Sequence, residues 1–265
     1  DTAEAFLVRD DQGLFPMAHK LVEIASYYGF DGWLMNQETD LSAVKDENNQ
    51  LLKGVKDYNR SAHLGKEMLA FMTYLNHIAP DGMEIHWYDA QLLDGTVRWQ
   101  NELNQHNSPF LGHQYAQVAD AIFLNYWWDR AMVEQSHEAA RQLRRNPYDV
   151  YTGVDLWPAR NAQRAFSRTA WLDDIFSDQD KQGLTSIALF GNNFNFNFTG
   201  TEQQPAFSTF NSDASDYQRF YSTEARLFVG DAGEAPQWKG IGHYIPARSV
   251  ISQLPFNTGF NTGHG

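Results

Sequence analysis

Apolar residues recur at three- to four-residue spacing from Pro16 to Tyr28, at Met17, Leu21, Ile24 and Tyr28, and Gly29 ends the run. That spacing predicts an amphipathic helix. An unbroken apolar stretch, Phe30 to Met35, comes next and reads as a buried strand that runs out into Asn36-Gln37-Glu38. Polar residues then dominate from Thr39 to about Ala62, which predicts a long connecting loop with room for a short helix. The helical spacing returns over Leu64 to Ile78 and stops at Pro80-Asp81-Gly82. Four more strand-like runs follow, Met83 to Asp89, Ala121 to Trp127, Val150 to Leu156 and Thr185 to Phe190. Helical segments are expected between them, near Gln114 to Val118, over Met132 to Arg144 and over Asn161 to Phe176. A last helix is expected at Ala214 to Phe228, followed by a Gly/Pro-rich tail from about residue 230 to Gly265.

Strand starts spaced by roughly 30 to 50 residues, with helices between, predict an α/β fold with a parallel sheet. Neither a P-loop nor a GxGxxG turn follows a strand, so nothing favours an open nucleotide-binding sheet. The strand ends carry Asn, Glu, Tyr, Asp and Trp instead, which is where a (β/α)8 TIM barrel keeps its chemistry. Five strands do not close a barrel. Either three further units lie upstream or the strand count is different.

Composition narrows the function. Lys plus Arg is 20 against 33 for Asp plus Glu, a net charge of −13, which disfavours nucleic acid and anionic membrane surfaces as partners. No apolar run is long enough to span a membrane, and Asp1-Thr2-Ala3-Glu4 does not open a signal peptide. Cysteine is absent, so disulfides, thiolate metal sites and a cysteine nucleophile are excluded. Eight Trp, twelve Tyr and eighteen Phe are enough to build both a core and a sugar-stacking surface.

Strand side chains alternate faces, so Asn36 and Glu38 point the same way with Cα atoms about 6–7 Å apart. A carboxyl beside an amide at a strand exit suits an acid/base with an orienting partner; two solvated polar residues fit the spacing equally. The string Phe30-Asp31-Gly32-Trp33-Leu34-Met35-Asn36-Gln37-Glu38 resembles the active-site strand of glycoside hydrolase family 85, the endo-β-N-acetylglucosaminidases. His86-Trp87-Tyr88-Asp89, Asp94-Gly95, Trp99-Gln100-Asn101-Glu102-Leu103-Asn104, Phe123-Leu124-Asn125-Tyr126-Trp127 and Tyr151-Thr152-Gly153-Val154-Asp155 follow in the family's order. The tail Leu254 to Gly265 is similar to the family's closing motif. The resemblance runs from about Phe15 to Gly265, weakest over Asn192 to Pro236.

The resemblance implies that Phe30 to Glu38 is the fourth of eight barrel strands, so residues 1–265 would be the C-terminal portion of a catalytic barrel. The missing N-terminal half of the barrel would then be a partner, with residues 230–265 an extended tail on it or leaving it. It implies an endo-acting hydrolase that cuts the GlcNAc-β1,4-GlcNAc core of N-linked glycans by a retaining, substrate-assisted route, with transglycosylation as a side reaction. Catalytic roles fall to Glu38 as acid/base, Asn36 as the group that orients the 2-acetamido group, and Tyr88 as donor to the acetamido oxygen. A related chitinase-type site would carry Asp where Asn36 stands.

Trp99 and Trp127, with Tyr126 beside them, are the expected substrate platforms, against core packing as the alternative. Trp33, Trp87, Trp157, Trp171 and Trp238 are assigned to the core. Asn101, Asn125 and Asp155 are expected to bind sugar hydroxyls, although such strand-end residues also satisfy loop backbone. His86 and Asp89 lack the companions of a metal site, and no metal or cofactor is expected. Asn59-Arg60-Ser61 and Asn197-Phe198-Thr199 match the glycosylation pattern, which is common by chance. The Asn/Phe patch at 192–198 reads as a glycan-contacting loop or a disordered one. An N-linked glycan or glycoprotein is the expected substrate and an extracellular or cell-surface location is expected, with the cytoplasm as the alternative. A non-catalytic glycan-binding module and a chitinase-like barrel hydrolase remain the competing readings.

Overall fold

The computed structural model describes residues 2–156, 172–191, 217–234, 236, 238–245 and 254–255. The chain forms two compact units, one of residues 1–165 and 170–192, the other of residues 166–169 and 193–265. Expectations for Trp157, Trp171, most of the helix at Asn161 to Phe176, the Asn/Phe patch at 192–198 and most of the closing tail fall outside the described residues.

The first unit is built on a parallel sheet. Its strands are β1 (Gly32–Met35), β4 (Glu84–Tyr88), β7 (Ala121–Leu124), β8 (Val150–Asp155) and β9 (Ser186–Phe190), in the spatial order β1-β4-β7-β8-β9. All four neighbouring pairs are parallel, with Trp33 opposite Ile85, Tyr88 opposite Phe123 and Phe123 opposite Tyr151. Sequential strands therefore lie side by side with crossovers between them, as the alternating pattern requires.

Helix α2 (Pro16–Tyr28) starts with Pro at its first position and ends at Gly29, whose φ of 72° and N–H bond to Ala25 O close the last turn. Ala18, Leu21 and Ala25 form its buried face. Helix α3 (Tyr58–Ile78) is capped by Asp57, which accepts from the Arg60 N–H at 2.9 Å. Leu64, Met68, Phe71, Met72 and Leu75 recur at helical spacing and bury one stripe of it. The core joins this stripe to Ile85 and Trp87 of β4, Ile122 and Leu124 of β7 and Val150 of β8. Trp87 stacks on Phe110 with centroids 4.2 Å apart. Alternate residues on the same strands, Tyr88 and Phe123 among them, are left for the opposite face.

Several expectations are corrected. The polar stretch after Glu38 is not an irregular loop but contains an antiparallel pair, β2 (Ala43–Lys45) with β3 (Leu51–Lys56), and α3 begins six residues earlier than Leu64. The tight turn Asp46 to Asn49, held by Asp46 Oδ1 accepting from the Asn48 and Gln50 N–H groups, makes that hairpin. Residues Gln114 to Val118 are not helical: Gly112–His113 and Ala116–Gln117 form a short antiparallel pair, β5 and β6. So short a segment gains little from helical hydrogen bonding, and here the backbone groups pair across the turn instead. Helix α5 (Arg130–Gln142) starts two residues before the expected Met132, because Asp129 caps it through the Met132 N–H. Residues Leu172–Ile175 form a single 3-10 turn.

In the second unit, helix Tyr217–Val229 and the short helix Ile241–Tyr244 enclose Trp238, which is 1% exposed. Its indole N–H donates to Arg226 O at 3.0 Å, and Arg226 pairs with Asp231 at 2.6 Å. Among the described residues no helix is long and apolar enough to cross a membrane.

Candidate active site

The strands place their C-terminal ends together, and polar residues following β1, β4 and β7 converge there with Asp155 of β8. Past β1, the Asn36 Nδ2 donates to Glu38 Oε2 at 3.3 Å. The two side chains are on one side of the chain, although both lie beyond the end of β1 at Met35. On the other oxygen, Glu38 Oε1 accepts from the Trp99 indole N–H at 3.1 Å, across 61 residues. The carboxylate is thus held between an amide and an indole at an exposed rim.

Below it, the Tyr88 hydroxyl donates to Asn125 Oδ1 at 3.0 Å. The Asn125 Nδ2 donates to Asn101 Oδ1 at 2.8 Å, and the same oxygen accepts the Trp127 backbone N–H at 3.1 Å. Asn101 has a φ of 63°, a left-handed conformation that Asn tolerates better than most residues. Asn125 spends both ends of its amide on protein groups and is 7% exposed.

Glu38, Tyr88, Trp99, Asn101, Asn125, Tyr126, Trp127 and Asp155 line one cleft of about 540 Å³. Asn36 lines a second cavity of about 180 Å³, with Met35, Gln37 and Trp87, and meets the cleft through its bond to Glu38. Eight of the nine residues expected from the sequence therefore line this cleft, and Asn36 adjoins it through Glu38. Trp99 and Trp127 are 47% and 59% exposed, whereas Trp87 and Trp238 are buried, which separates surface indoles from core ones. Trp33 is half-buried against the core, its indole N–H donating to Leu21 O. His86 pairs with Glu84 at 2.8 Å.

Burial, with Tyr126, Glu38 and Asp89 adding to it, drives the Tyr88 phenol far above its ordinary value. The hydroxyl remains a neutral donor across the working pH range. Asp89, the next residue, is wholly buried. Burial pushes its carboxyl up to about 6, against the pull of the Asn107 amide and the Asn101, Gln100 and Asn125 N–H groups. Its Oδ2 accepts from the Gln100 and Asn101 N–H groups at 3.0 and 2.8 Å, and its Oδ1 from Asn107 Nδ2 at 3.1 Å. Sequence reasoning weighed Asp89 only as a metal ligand and passed over Asn107. A pointer was present in Asp89's position directly after Tyr88 at a strand end, but its partners lie 11 to 18 residues away in irregular chain.

Comparison with known proteins is consistent along the whole chain. The chain is 30% identical over 262 residues to a protein of Gallus gallus named cytosolic endo-beta-N-acetylglucosaminidase, covering 99% of this chain and 28% of the relative. The Mus musculus protein of that name is 32% identical over 266 residues, covering 99% and 28%. This chain therefore spans little more than a quarter of the length of the curated relatives it matches. The glycoside hydrolase domain of Endo-D from Streptococcus pneumoniae R6 superposes with a TM-score of 0.67 at 25% identity, over 89% of this chain and 33% of that one. The expectation of an extracellular or cell-surface location is overturned, because these curated relatives are named cytosolic. Location is set by targeting signals and the cell, and strand-end motifs carry no information about it. The family model described as glycosyl hydrolase family 85 matches residues 1–265, and the chain belongs to that family.

Proposed function

We propose that the protein is a cytosolic endo-β-N-acetylglucosaminidase that cleaves the GlcNAc-β1,4-GlcNAc core of N-linked glycans with retention. The observation that carries this reading is the single carboxylate of Glu38, held by Asn36 on one oxygen and Trp99 on the other. Among the described residues no second carboxylate shares its rim position in the cleft, since Asp155 is buried. That suits substrate-assisted hydrolysis, the exception to two-carboxylate glycosidases. The substrate's 2-acetamido oxygen attacks the anomeric carbon while Glu38 protonates the leaving oxygen. Glu38 then takes a proton from water, which attacks the anomeric carbon and opens the oxazolinium ring, restoring the neutral acetamido group; a sugar hydroxyl in place of water gives transglycosylation.

Asn36 donates its Nδ2 to Glu38, which leaves Oδ1 to accept the acetamido N–H as positive charge develops there. Tyr88 turns its hydroxyl from Asn125 to the acetamido oxygen. Trp99 and Trp127, with Tyr126, stack on sugar faces, while Asn101, Asn125 and Asp155 complete the polar wall. A lectin has no use for the Asn36–Glu38 pair, and a chitinase-type site would carry a carboxyl in place of Asn36.

We further propose that these residues form about the fourth to eighth strands of a (β/α)8 barrel, with residues 230–265 as its tail. The edge of β1, which has no partner strand on its outer side among the described residues, supports this, as do Leu34 within the strand and Tyr27, Tyr28 and Phe30 shortly before it, all more than 45% exposed. The upstream half of the barrel is the proposed cover.

The test is hydrolysis of an N-glycan by the full-length protein. Glu38→Gln should lose about 10²–10⁴ in kcat while still binding glycan. Asn36→Ala should lose hydrolysis yet transfer a preformed glycan oxazoline to a GlcNAc acceptor. Hydrolysis by Asn36→Ala at the wild-type rate would rule out substrate assistance.

A further inference from the structure

We propose that Asp89 is a positioning residue of this site, a buried carboxylate that clamps residues 99–101 so that Trp99 meets Glu38 and Asn101 meets Asn125. Asp89 does not line the cleft, so it acts only through others. Its Oδ2 takes two successive backbone N–H groups, those of Gln100 and Asn101, at 3.0 and 2.8 Å. Immediately before that pair stands Trp99, whose indole bonds Glu38; the second of the pair is Asn101 itself, which bonds Asn125 and the Trp127 backbone. The remaining oxygen, Oδ1, is held by Asn107 Nδ2, which also donates to Glu102 O and so ties in the next stretch of loop.

The loop from Trp99 to Asn107 carries no helix or sheet ladder of its own. Its far part is anchored by the Leu103 N–H to Ser136 Oγ and by the buried Leu103 side chain, and its near part, Gln100 and Asn101, by the bonds to this one carboxylate. Asp89 is also joined to the sheet, since its N–H donates to Phe123 O at 2.8 Å. One rigid strand end therefore sets both Tyr88, by chain continuity, and the Trp99–Asn101 segment, by hydrogen bonding. A fully buried carboxylate accepting three N–H donors is poorly replaced by an amide, because a carboxamide turns one acceptor into a donor facing donors.

This inference rests on the hydrolase reading, and its test carries a readout that does not depend on activity. Asp89→Asn is made in the full-length protein, alone and combined with Trp99→Phe. The Trp99 indole N–H resonance, identified by its loss in Trp99→Phe, is followed for its response to Glu38→Gln. Asp89→Asn should leave the melting temperature within a few degrees and lower kcat by roughly ten- to a hundred-fold, the scale set by a misplaced catalytic group. It should shrink the indole's response to Glu38→Gln by more than half, and it should add little to the loss already caused by Trp99→Phe. Any other combination overturns the proposal: an unchanged indole response, an unchanged kcat, or losses that multiply independently with Trp99→Phe. If Asp89→Asn does not fold, Asn107→Ala, which removes the donor on Oδ1 alone, should move the same two readouts in the same direction by about three-fold, and no movement overturns the proposal. A wild-type protein inactive on N-glycans would count against the hydrolase reading while the indole measurement still decides the role of Asp89.

Discussion

Trp127 illustrates how one side chain's surroundings decide its role. It closes the segment after β7, its backbone N–H is tied to Asn101 Oδ1, and its ring is 59% exposed in the cleft wall. The adjacent Trp128 is 8% exposed and donates its indole N–H to Gly153 O at 2.6 Å. One indole of the pair thus belongs to the framework and the other faces the cleft. Losing a stacking ring should cost about 1–3 kcal/mol of glycan binding, roughly five- to a hundred-fold in affinity. Trp127→Ala should therefore weaken glycan binding by that factor and shift the melting temperature by only a few degrees. A core indole would instead cost about 3–5 kcal/mol of stability on truncation. Thermal unfolding and glycan titration on the same preparation separate the two. The sequence put Trp127 at a strand end, but neighbouring indoles in one tryptophan pair are indistinguishable until burial is known.

At the scale of elements, the close approach of β7 and β8 shapes the cleft floor. Gly153 lies where a Cβ would come within 2.3 Å of Leu124 O and within 2.8 Å of the rings of Phe123 and Tyr126. Its backbone is not left-handed, so space and not dihedral angle demands glycine here. Tyr126 packs against Phe123 and Phe190 at centroid distances of 6.0 and 5.2 Å, over the spot that Gly153 leaves open. Gly153→Ala should push Tyr126 outward and force β7 from β8, costing about 1–3 kcal/mol as overpacking does. Urea unfolding measures that cost, and a variant as stable as wild type would show that the strands yield freely. The strands themselves were legible as apolar runs, each within two or three residues of its observed ends. The hairpin β2–β3 was not, because β3, Leu51–Lys56, is exposed along its whole length and carries no alternating burial pattern.

For the molecule as a whole, the outer edge of β1, without a partner strand among the described residues, is the feature with the widest consequence. Tyr27, Tyr28 and Phe30 line up beside it, with centroids 4.9 and 5.6 Å apart, and Phe30 meets Trp33 at 5.7 Å. An exposed strand edge flanked by aromatic rings invites pairing with further chain. In residues 1–265 alone, the β1 N–H groups pointing away from β4 should exchange with solvent within the fast regime of unpaired amides. In the full-length protein they should become protected, and Tyr28 and Phe30 should lose solvent contact. Hydrogen exchange on the two proteins makes the comparison, and equal exchange in both would remove β1 from any barrel seam.

Local pattern alone determined that helices and strands alternate and that aromatic and amide residues gather at strand ends. These follow from side-chain period, which is written in neighbouring residues and needs no long-range contact. Tertiary structure alone decided that Trp99 reaches Glu38 across 61 residues, that Asn101 rather than solvent holds Asn125, and that Asp89 anchors the loop between them. Those contacts join irregular segments, where no periodicity records which face looks inward. They come into being only when parallel strands bring their ends to one side of the sheet, so that residues far apart in the chain are forced to share one buried set of hydrogen bonds.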